Sequence, residues 1–217
     1  AMLEHGLQCG APDPRAVRTA SMTPVDAAHE EPEAGEAARV AMAGLLPGCE
    51  LGYQIVASVH PDRAEILLEV RVQHRGLDTP LPCWSAWALP HTGAPWASAD
   101  GAVRVAYDAD DDSGVALVGD AHRVGPTECP SGWATLGRPS LLLAPRQVDE
   151  WALRVVPLAG LGPFLAGSGE VFAGLAGRTL RLQAVASHAN GRLFVLDAEG
   201  QTHEAPLDLS PGVVQGI

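Results

Sequence analysis

The sequence contains no lysine, and all fourteen of its positively charged side chains are arginines. Schiff-base catalysis and Walker-type phosphate loops both require the lysine ε-amine, so both are excluded. The net charge of −12 argues against nucleic-acid binding, which needs concentrated positive charge. No apolar run reaches about 18 residues, so no membrane-spanning helix is expected.

Several common catalytic motifs are also missing. The chain has no Gly-x-Ser-x-Gly, no His-Glu-x-x-His and no Gly-x-Gly-x-x-Gly. We therefore expect no cofactor.

The four cysteines lie far apart in the sequence, at Cys9, Cys49, Cys83 and Cys129, and form no Cys-x-x-Cys pair. This spacing does not fit a zinc site, so no metal is expected. Free thiols in a reducing compartment are favoured over disulfides. The first residues also lack the basic start and apolar stretch of a secretory signal. We therefore expect a cytoplasmic protein, although a signal removed earlier stays an alternative.

Residues 64–73 carry the clearest structural pattern. Apolar Ile66, Leu68 and Val70 alternate there with polar Glu69 and Arg71. Successive side chains of a strand point to opposite faces, so this pattern predicts a strand with one buried and one wet side.

Further strand patterns follow one another from Leu51 onward, separated by turn residues and without a sustained helical period. They predict an all-β fold, an antiparallel β-sandwich. Asn190-Gly191 is the strongest hairpin signal, because a type I′ turn needs positive φ at both positions. Glu199-Gly200 is expected to start another hairpin. Candidate strands lie at 51–59, 64–73, 81–89, 102–107, 115–118, 140–143, 150–156, 179–186, 192–197 and 203–207.

The N-terminal segment differs from the rest of the chain. It is rich in proline and glutamate and shows no apolar periodicity before about residue 37. Such a segment buries too little apolar surface to offset its ordering entropy. We predict that residues 1–45 are mobile or draped over the surface, and that residues 46–217 form one β-sandwich domain.

Two segments resemble the aldose-epimerase (galactose mutarotase-like) superfamily. Residues 52–82 run strand, turn, long strand and a turn ending in Pro-Leu-Pro, and residues 141–157 contain a proline turn followed by a strand. The resemblance implies a shortened mutarotase-like supersandwich and a carbohydrate ligand. His74 replaces the family's usual Asn and Arg146 its usual Gly, while the position of the family's histidine acid falls near Trp87. The resemblance therefore implies that the usual epimerase acid is missing.

Epimerisation at a sugar's anomeric carbon needs a general acid and a base in fixed geometry. The candidate catalytic residues are His91, at the end of a strand, His122 and Glu128, in the Gly/Pro-rich loop 119–139, and Glu150. The alternative for each histidine and for Glu128 is a solvated loop residue, and for Glu150 the polar face of its strand.

Tryptophan makes up five of the ten aromatic residues. Indole rings stack on sugar rings and supply large contact areas. The candidate ligand-binding residues are therefore Trp84, Trp87, Trp96 and Trp133. Core packing or loop anchoring is the alternative for each.

The acidic stretch 108–114 is similar to a calcium loop, because alternate carboxylates could converge on one cation. Position six is Ser113 and position twelve is Gly119, however, and neither matches such a loop. An exposed acidic turn is the favoured interpretation.

Three hypotheses remain. The leading one is a carbohydrate-binding, mutarotase-like β-sandwich without the usual epimerase acid. The alternative is an active sugar epimerase that uses a histidine and a carboxylate. The third is an interaction module that packs against another protein or another copy of itself.

Overall fold

The computed structural model describes residues 6–10, 18–19, 26–30, 35–45, 50–90, 95–125, 133–196 and 200–217. No α-helix occurs in these ranges, so they hold no helix that could cross a membrane. The described residues form strands β1 (Gly6–Gly10), β2 (Arg18–Thr19), β3 (Asp26–Glu30), β4 (Ala38–Leu45), β5 (Leu51–Val59), β6 (Ile66–His74), β7 (Leu81–Pro90), β8 (Trp96–Ala97), β9 (Val103–Asp108), β10 (Ser113–Gly119), β11 (Trp133–Leu143), β12 (Val148–Ala159), β13 (Phe164–Gly167), β14 (Val171–Ala176), β15 (Thr179–Ala184), β16 (His188–Leu196), β17 (Thr202–Leu209) and β18 (Val214–Gly216).

An eight-stranded antiparallel sheet forms the centre of the fold, in the order β3-β4-β5-β6-β12-β10-β9-β8. A four-stranded sheet, β11-β7-β1-β2, is called the β7–β11 sheet here. A second four-stranded sheet, β13-β14-β15-β18, is the β14–β15 sheet, and β16 and β17 form a separate hairpin.

The first core lies between the eight-stranded sheet and the β7–β11 sheet. Ile55, Val70 and Leu153 from the former pack in one buried cluster with Leu136 and Leu143 from β11. These side chains are at most 2 % exposed, so this layer is dry and closely packed.

Two polar links also join these two layers. The buried Trp151 Nε1–H donates to Ser85 Oγ at 2.8 Å. Arg138 donates to Asp149 through two parallel hydrogen bonds of 3.0 Å each, a fork geometry that fixes both side chains.

The second core lies on the opposite face of the eight-stranded sheet, at its other end. Val156 and Leu158 of β12 pack there with Phe172 of β14. They have the opposite parity to Trp151 and Leu153, so one strand contributes to both cores from its two faces. The all-β sandwich is thereby confirmed.

The hairpin predictions had mixed outcomes. Strands β16 and β17 pair across Gly200, with Leu196 opposite Thr202, which confirms the second hairpin. The prediction of a hairpin at Asn190-Gly191 was wrong, because both residues lie within β16 at a register shift against β17. Asn190 does adopt a φ of 57°, so the local conformation was anticipated but its place in the sheet was not.

Strand β4 lies inside the segment predicted to be mobile or surface-draped. It pairs along its whole length with β5, from Ala38 opposite Val59 to Leu45 opposite Gly52. The division at residue 45 stays a prediction.

Candidate functional site

Among the described residues, none forms a second layer over one part of the eight-stranded sheet. On β5, β6 and the first half of β12, the face opposite the first core presents Gln54, Glu69, Arg71 and Glu150, all exposed. We call this region, together with the adjoining surface of β4, the open face. The apolar side of the β14–β15 sheet packs against β9, β10 and the end of β12, and the four polar side chains above stay exposed.

The open face contains a first depression of about 370 Å³ over β4, β5 and the end of β6. This volume lies within the range of small-molecule sites. Residues 43–45, Gly52 and Tyr53 line it, with the Tyr53 side chain buried in the first core, and its polar side chains are Gln54, Arg71, Gln73 and Arg75.

A second depression of about 370 Å³ adjoins the first over β5, β6 and β12. Gln54 and Arg71 border both depressions, so the two are neighbours on one surface. From β4 to β12 the surface spans three inter-strand spacings, roughly 14 Å at about 4.8 Å each. The other residues around the second depression are Val56, Glu69, Val70, Arg123, Glu150, Trp151 and Ala152.

The Arg71 side chain borders both depressions and forms an ion pair with Glu150. Its Nε lies 3.5 Å from Glu150 Oε1, and the two side chains are 51 % and 65 % exposed. An ion pair this exposed contributes little stability and exchanges readily with water or a ligand.

Arg75 reaches the first depression from just beyond the end of β6. Its N–H donates to the Glu50 carbonyl at 2.7 Å, which fixes the backbone at that point. Its side chain crosses Gly52, where a Cβ would lie 3.3 Å from both Arg75 Cδ and Nε. The missing side chain at Gly52 thus lets the arginine lie flat along the sheet.

A charged cluster lies at the boundary between the open face and the β14–β15 sheet. Arg154 Nη1 contacts Glu65 Oε2 at 3.1 Å and Glu170 Oε1 at 2.5 Å, and Arg63 pairs with the same two glutamates. Glu65 is only 8 % exposed although its parity predicted a wet position. The β14–β15 sheet, which carries Glu170 beside β14, buries this end of the polar face.

The predicted catalytic residues are not brought together among the described positions. Glu150 is exposed and borders the second depression. His122 is exposed on a turn where its N–H donates to Asp120 Oδ1 at 2.9 Å, next to Arg123 of that depression. His91 and Glu128 lie outside the described residues, so the acid–base pair stays a prediction.

The structure places the predicted tryptophans in several environments. Trp87 is half-buried against the first core. Trp96 packs edge-on to Phe164 beside the second core, with ring centroids 5.4 Å apart. Trp84 and Trp133 lie on the paired strands β7 and β11, and their side chains are outside the described set. A sugar-stacking role for these four residues stays a prediction.

The acidic turn after β9 has a structural use. Asp112 Oδ1 accepts hydrogen bonds from Tyr107 Oη at 2.5 Å and from the Gly162 N–H at 2.6 Å. These bonds lower the pKa of Asp112, with the Tyr107 hydroxyl as the largest cause. No cluster of three or more His, Cys, Asp or Glu able to hold a metal ion is found within the described ranges.

Sequence reasoning singled out none of Gln54, Arg71, Gln73 and Arg75. The alternation in 64–73 did place Arg71 and Gln73 on a wet face, and that was the available signal. What the pattern does not contain is which wet face stays open and which is covered by another layer.

Comparisons with known proteins give a limited result. No protein-family model matches the chain, and no curated protein matches its sequence. Among solved structures, the heparan sulfate lyase HepC from Pedobacter heparinus aligns with a TM-score of 0.45 at 10 % identity, covering 87 % of this chain and 29 % of that one. The polysaccharide lyase BACCELL_00875 aligns with a TM-score of 0.39 at 15 % identity, covering 93 % and 35 %. This chain thus spans about a third of those proteins, and likenesses of this extent assign it no activity.

Proposed function

We propose that the protein binds a carbohydrate on the open face of its eight-stranded sheet. The observation that carries the proposal is the pair of adjoining depressions that share Gln54 and Arg71. Gln54, Arg71 and Glu150 stand on paired strands, which hold binding groups more rigidly than loops do.

The chemistry of the lining groups suits a polyhydroxylated ligand. A sugar hydroxyl both donates and accepts hydrogen bonds. Arginine supplies only donors, glutamate only acceptors, and glutamine both, so Arg71, Glu150 and Gln54 together offer each kind of partner. A surface of roughly 14 Å across four strands also accommodates more than one sugar ring.

Kinship with the aldose epimerases is the finer part of this proposal. The two turn segments at 52–82 and 141–157 support it. In that case the protein would be a mutarotase-like binder without the usual acid, since no histidine lies among the residues that line the two described depressions.

Isothermal titration calorimetry with neutral and acidic oligosaccharides tests the proposal. We expect micromolar to millimolar dissociation constants for at least one sugar. The double variant Gln54→Ala/Arg71→Ala should weaken binding at least about tenfold, a loss of about 1.4 kcal/mol.

Arg192→Ala is the matched control, because Arg192 pairs with Glu204 on the exposed β16–β17 hairpin and borders neither depression. It should bind as the wild type does. If no sugar binds at millimolar concentration, or if the double variant binds normally, the open face is not a carbohydrate site.

The β16–β17 hairpin supports a second candidate function, self-association. Phe194 and Leu196 are 60 % and 69 % exposed there, which is a large apolar exposure for two neighbouring side chains. Light scattering coupled to size-exclusion chromatography should then show a mass that rises with concentration, and Phe194→Ser/Leu196→Ser should abolish the rise. A constant monomer mass would exclude this candidate.

A further inference from the structure

The first depression has an unusual charge for this protein. The chain carries a net charge of −12, yet the depression is lined by two arginines, Arg71 and Arg75, and by no aspartate or glutamate. Charges beyond roughly 10 Å are largely screened at ordinary ionic strength, so the charges that a ligand meets there are mainly the two arginines and the Glu150 carboxylate, 3.5 Å from Arg71.

Neither guanidinium is fully used within the described structure. Arg75 forms no ion pair among the described residues. The nearby Glu50 carboxylate lies against Gly76 instead. Arg71 makes one exposed contact of 3.5 Å with Glu150, on the side of the second depression. Counted over the described residues, both side chains therefore keep N–H donors available to a ligand.

The position of Arg75 also favours contact with a ligand in the first depression. Its side chain lies flat over Gly52, with its backbone N–H held by the Glu50 carbonyl. The Arg75 side chain is exposed, and its planar fork matches a carboxylate or a sulfate through two parallel hydrogen bonds. Gln54 and Gln73 stand beside it and can bond neighbouring hydroxyls.

We infer that the first depression recognises the anionic group of an acidic sugar, a uronate carboxylate or a sulfate ester, through Arg75 and Arg71. This inference rests on the proposed carbohydrate-binding function and names its ligand class. Gln54 and Gln73 hold the ring hydroxyls, and the second depression takes the adjoining part of the chain.

Calorimetry with three probes tests the inference: an oligogalacturonate, its carboxyl-reduced neutral counterpart, and a sulfated galactan oligosaccharide. The wild type should bind at least one acidic probe about tenfold or more tightly than the neutral one, as expected for charge-assisted hydrogen bonds. Added NaCl should weaken the acidic probe only. The two acidic probes separate carboxylate from sulfate recognition.

Variants locate the effect. Arg75→Gln keeps hydrogen-bond donors and removes the charge, so it should lower the affinity for the acidic probe about tenfold and leave the neutral probe unchanged. Gly52→Ala should shift Arg75 and act in the same direction, because the added Cβ lies within 3.3 Å of its side chain. Arg192→Gln, on the distant hairpin, should change neither affinity.

The outcomes separate the two proposals. Equal binding of acidic and neutral probes, or equal loss of both in Arg75→Gln, overturns the acidic-sugar inference and leaves carbohydrate binding in place. Failure of the wild type to bind either acidic probe overturns the acidic-sugar inference, and failure to bind any sugar, neutral or acidic, overturns both. Circular dichroism of each variant establishes that it is folded before its affinity is compared.

Discussion

The hydrogen bond between Trp151 and Ser85 gives the most direct test of how the two layers of the first core are joined. Both residues are 3 % exposed, and the indole N–H donates to the hydroxyl at 2.8 Å. Trp151 comes from the eight-stranded sheet and Ser85 from the β7–β11 sheet. The bond is therefore an interlayer contact in a dry interior.

Ser85→Ala removes the acceptor and leaves the indole N–H buried without it. An unpaired buried donor costs about 1–3 kcal/mol. For a chain of this size, 1 kcal/mol corresponds to about 2–4 °C in Tm, so we expect a fall of about 2–12 °C. Trp151→Phe removes the donor and part of the ring volume, and should cost a similar or larger amount.

The double variant Ser85→Ala/Trp151→Phe distinguishes the contribution of the hydrogen bond to stability from that of packing. With both partners gone, no donor is left unpaired, so the double variant should be more stable than the sum of the single losses predicts, by about 1–2 kcal/mol. Urea unfolding followed by far-ultraviolet circular dichroism measures each free energy without relying on tryptophan fluorescence. Ser187→Ala, at an exposed position, is the control and should stay within about 0.5 kcal/mol of wild type. Strict additivity of the two single variants would refute the reasoning.

Three further predictions concern stability. Arg138→Met should lower the free energy of unfolding in urea by about 2–4 kcal/mol, because it leaves the largely buried Asp149 carboxylate unpaired. Arg71→Met should lower it by under about 1 kcal/mol, since the ion pair of Arg71 is exposed. Equal losses in the two variants would contradict this difference. Gly137→Ala should prevent stable folding, because a Cβ at this position would lie 2.2 Å from the Ser85 carbonyl oxygen. The variant should show no cooperative thermal transition, and a normal transition would contradict the close approach of β7 and β11. Burial and the hydrogen bond to Asp112 raise the pKa of Tyr107 from 10.0 to about 12. The unfolded chain therefore loses this proton first, and the free energy of unfolding should fall as the pH rises from about 10 to about 12. Tyr107→Phe should remove that part of the fall, and an unchanged pH profile in this variant would argue against the reasoning.

Local patterns predicted much of the strand layout because alternation reports directly on which side chains are buried. Val70 and Val72 are 2 % exposed, and Glu69 and Arg71, which alternate with them, are exposed, as the alternation in 64–73 requires. The hairpin between β5 and β6 likewise follows from the turn residues His60 to Arg63. Such features depend on neighbours in the sequence.

Long-range arrangement was less predictable. Pro157 was expected to follow a strand, yet it lies inside β12 opposite Val115. Strands β13 and β14 were not anticipated, since Gly and Pro interrupt that stretch of sequence. Their existence depends on the apolar side of β9, β10 and β12, which they cover, and a residue's own neighbours in the chain do not contain that information.

The candidate site shows the same division. The residues selected by chemical type, histidines and tryptophans, are spread over turns and core edges wherever they are described. Of the described candidates, Glu150 borders a depression, and most of the other polar lining residues are arginines and glutamines that the sequence had not singled out. They become a site because the described part of the chain leaves that region of the sheet's polar face uncovered.

The amino-acid sequence alone determined that this chain forms antiparallel strands, that Leu68, Val70 and Val72 face inward, and that lysine chemistry and phosphate loops are excluded. Those properties follow from side-chain alternation and composition, which are local. Only the tertiary structure decided that β12 is buried on both faces at one end and open at the other, and that Arg71 and Arg75 meet in one depression. Layer stacking brings together residues far apart in the chain, and the free energy of that stacking depends on the whole set of buried surfaces.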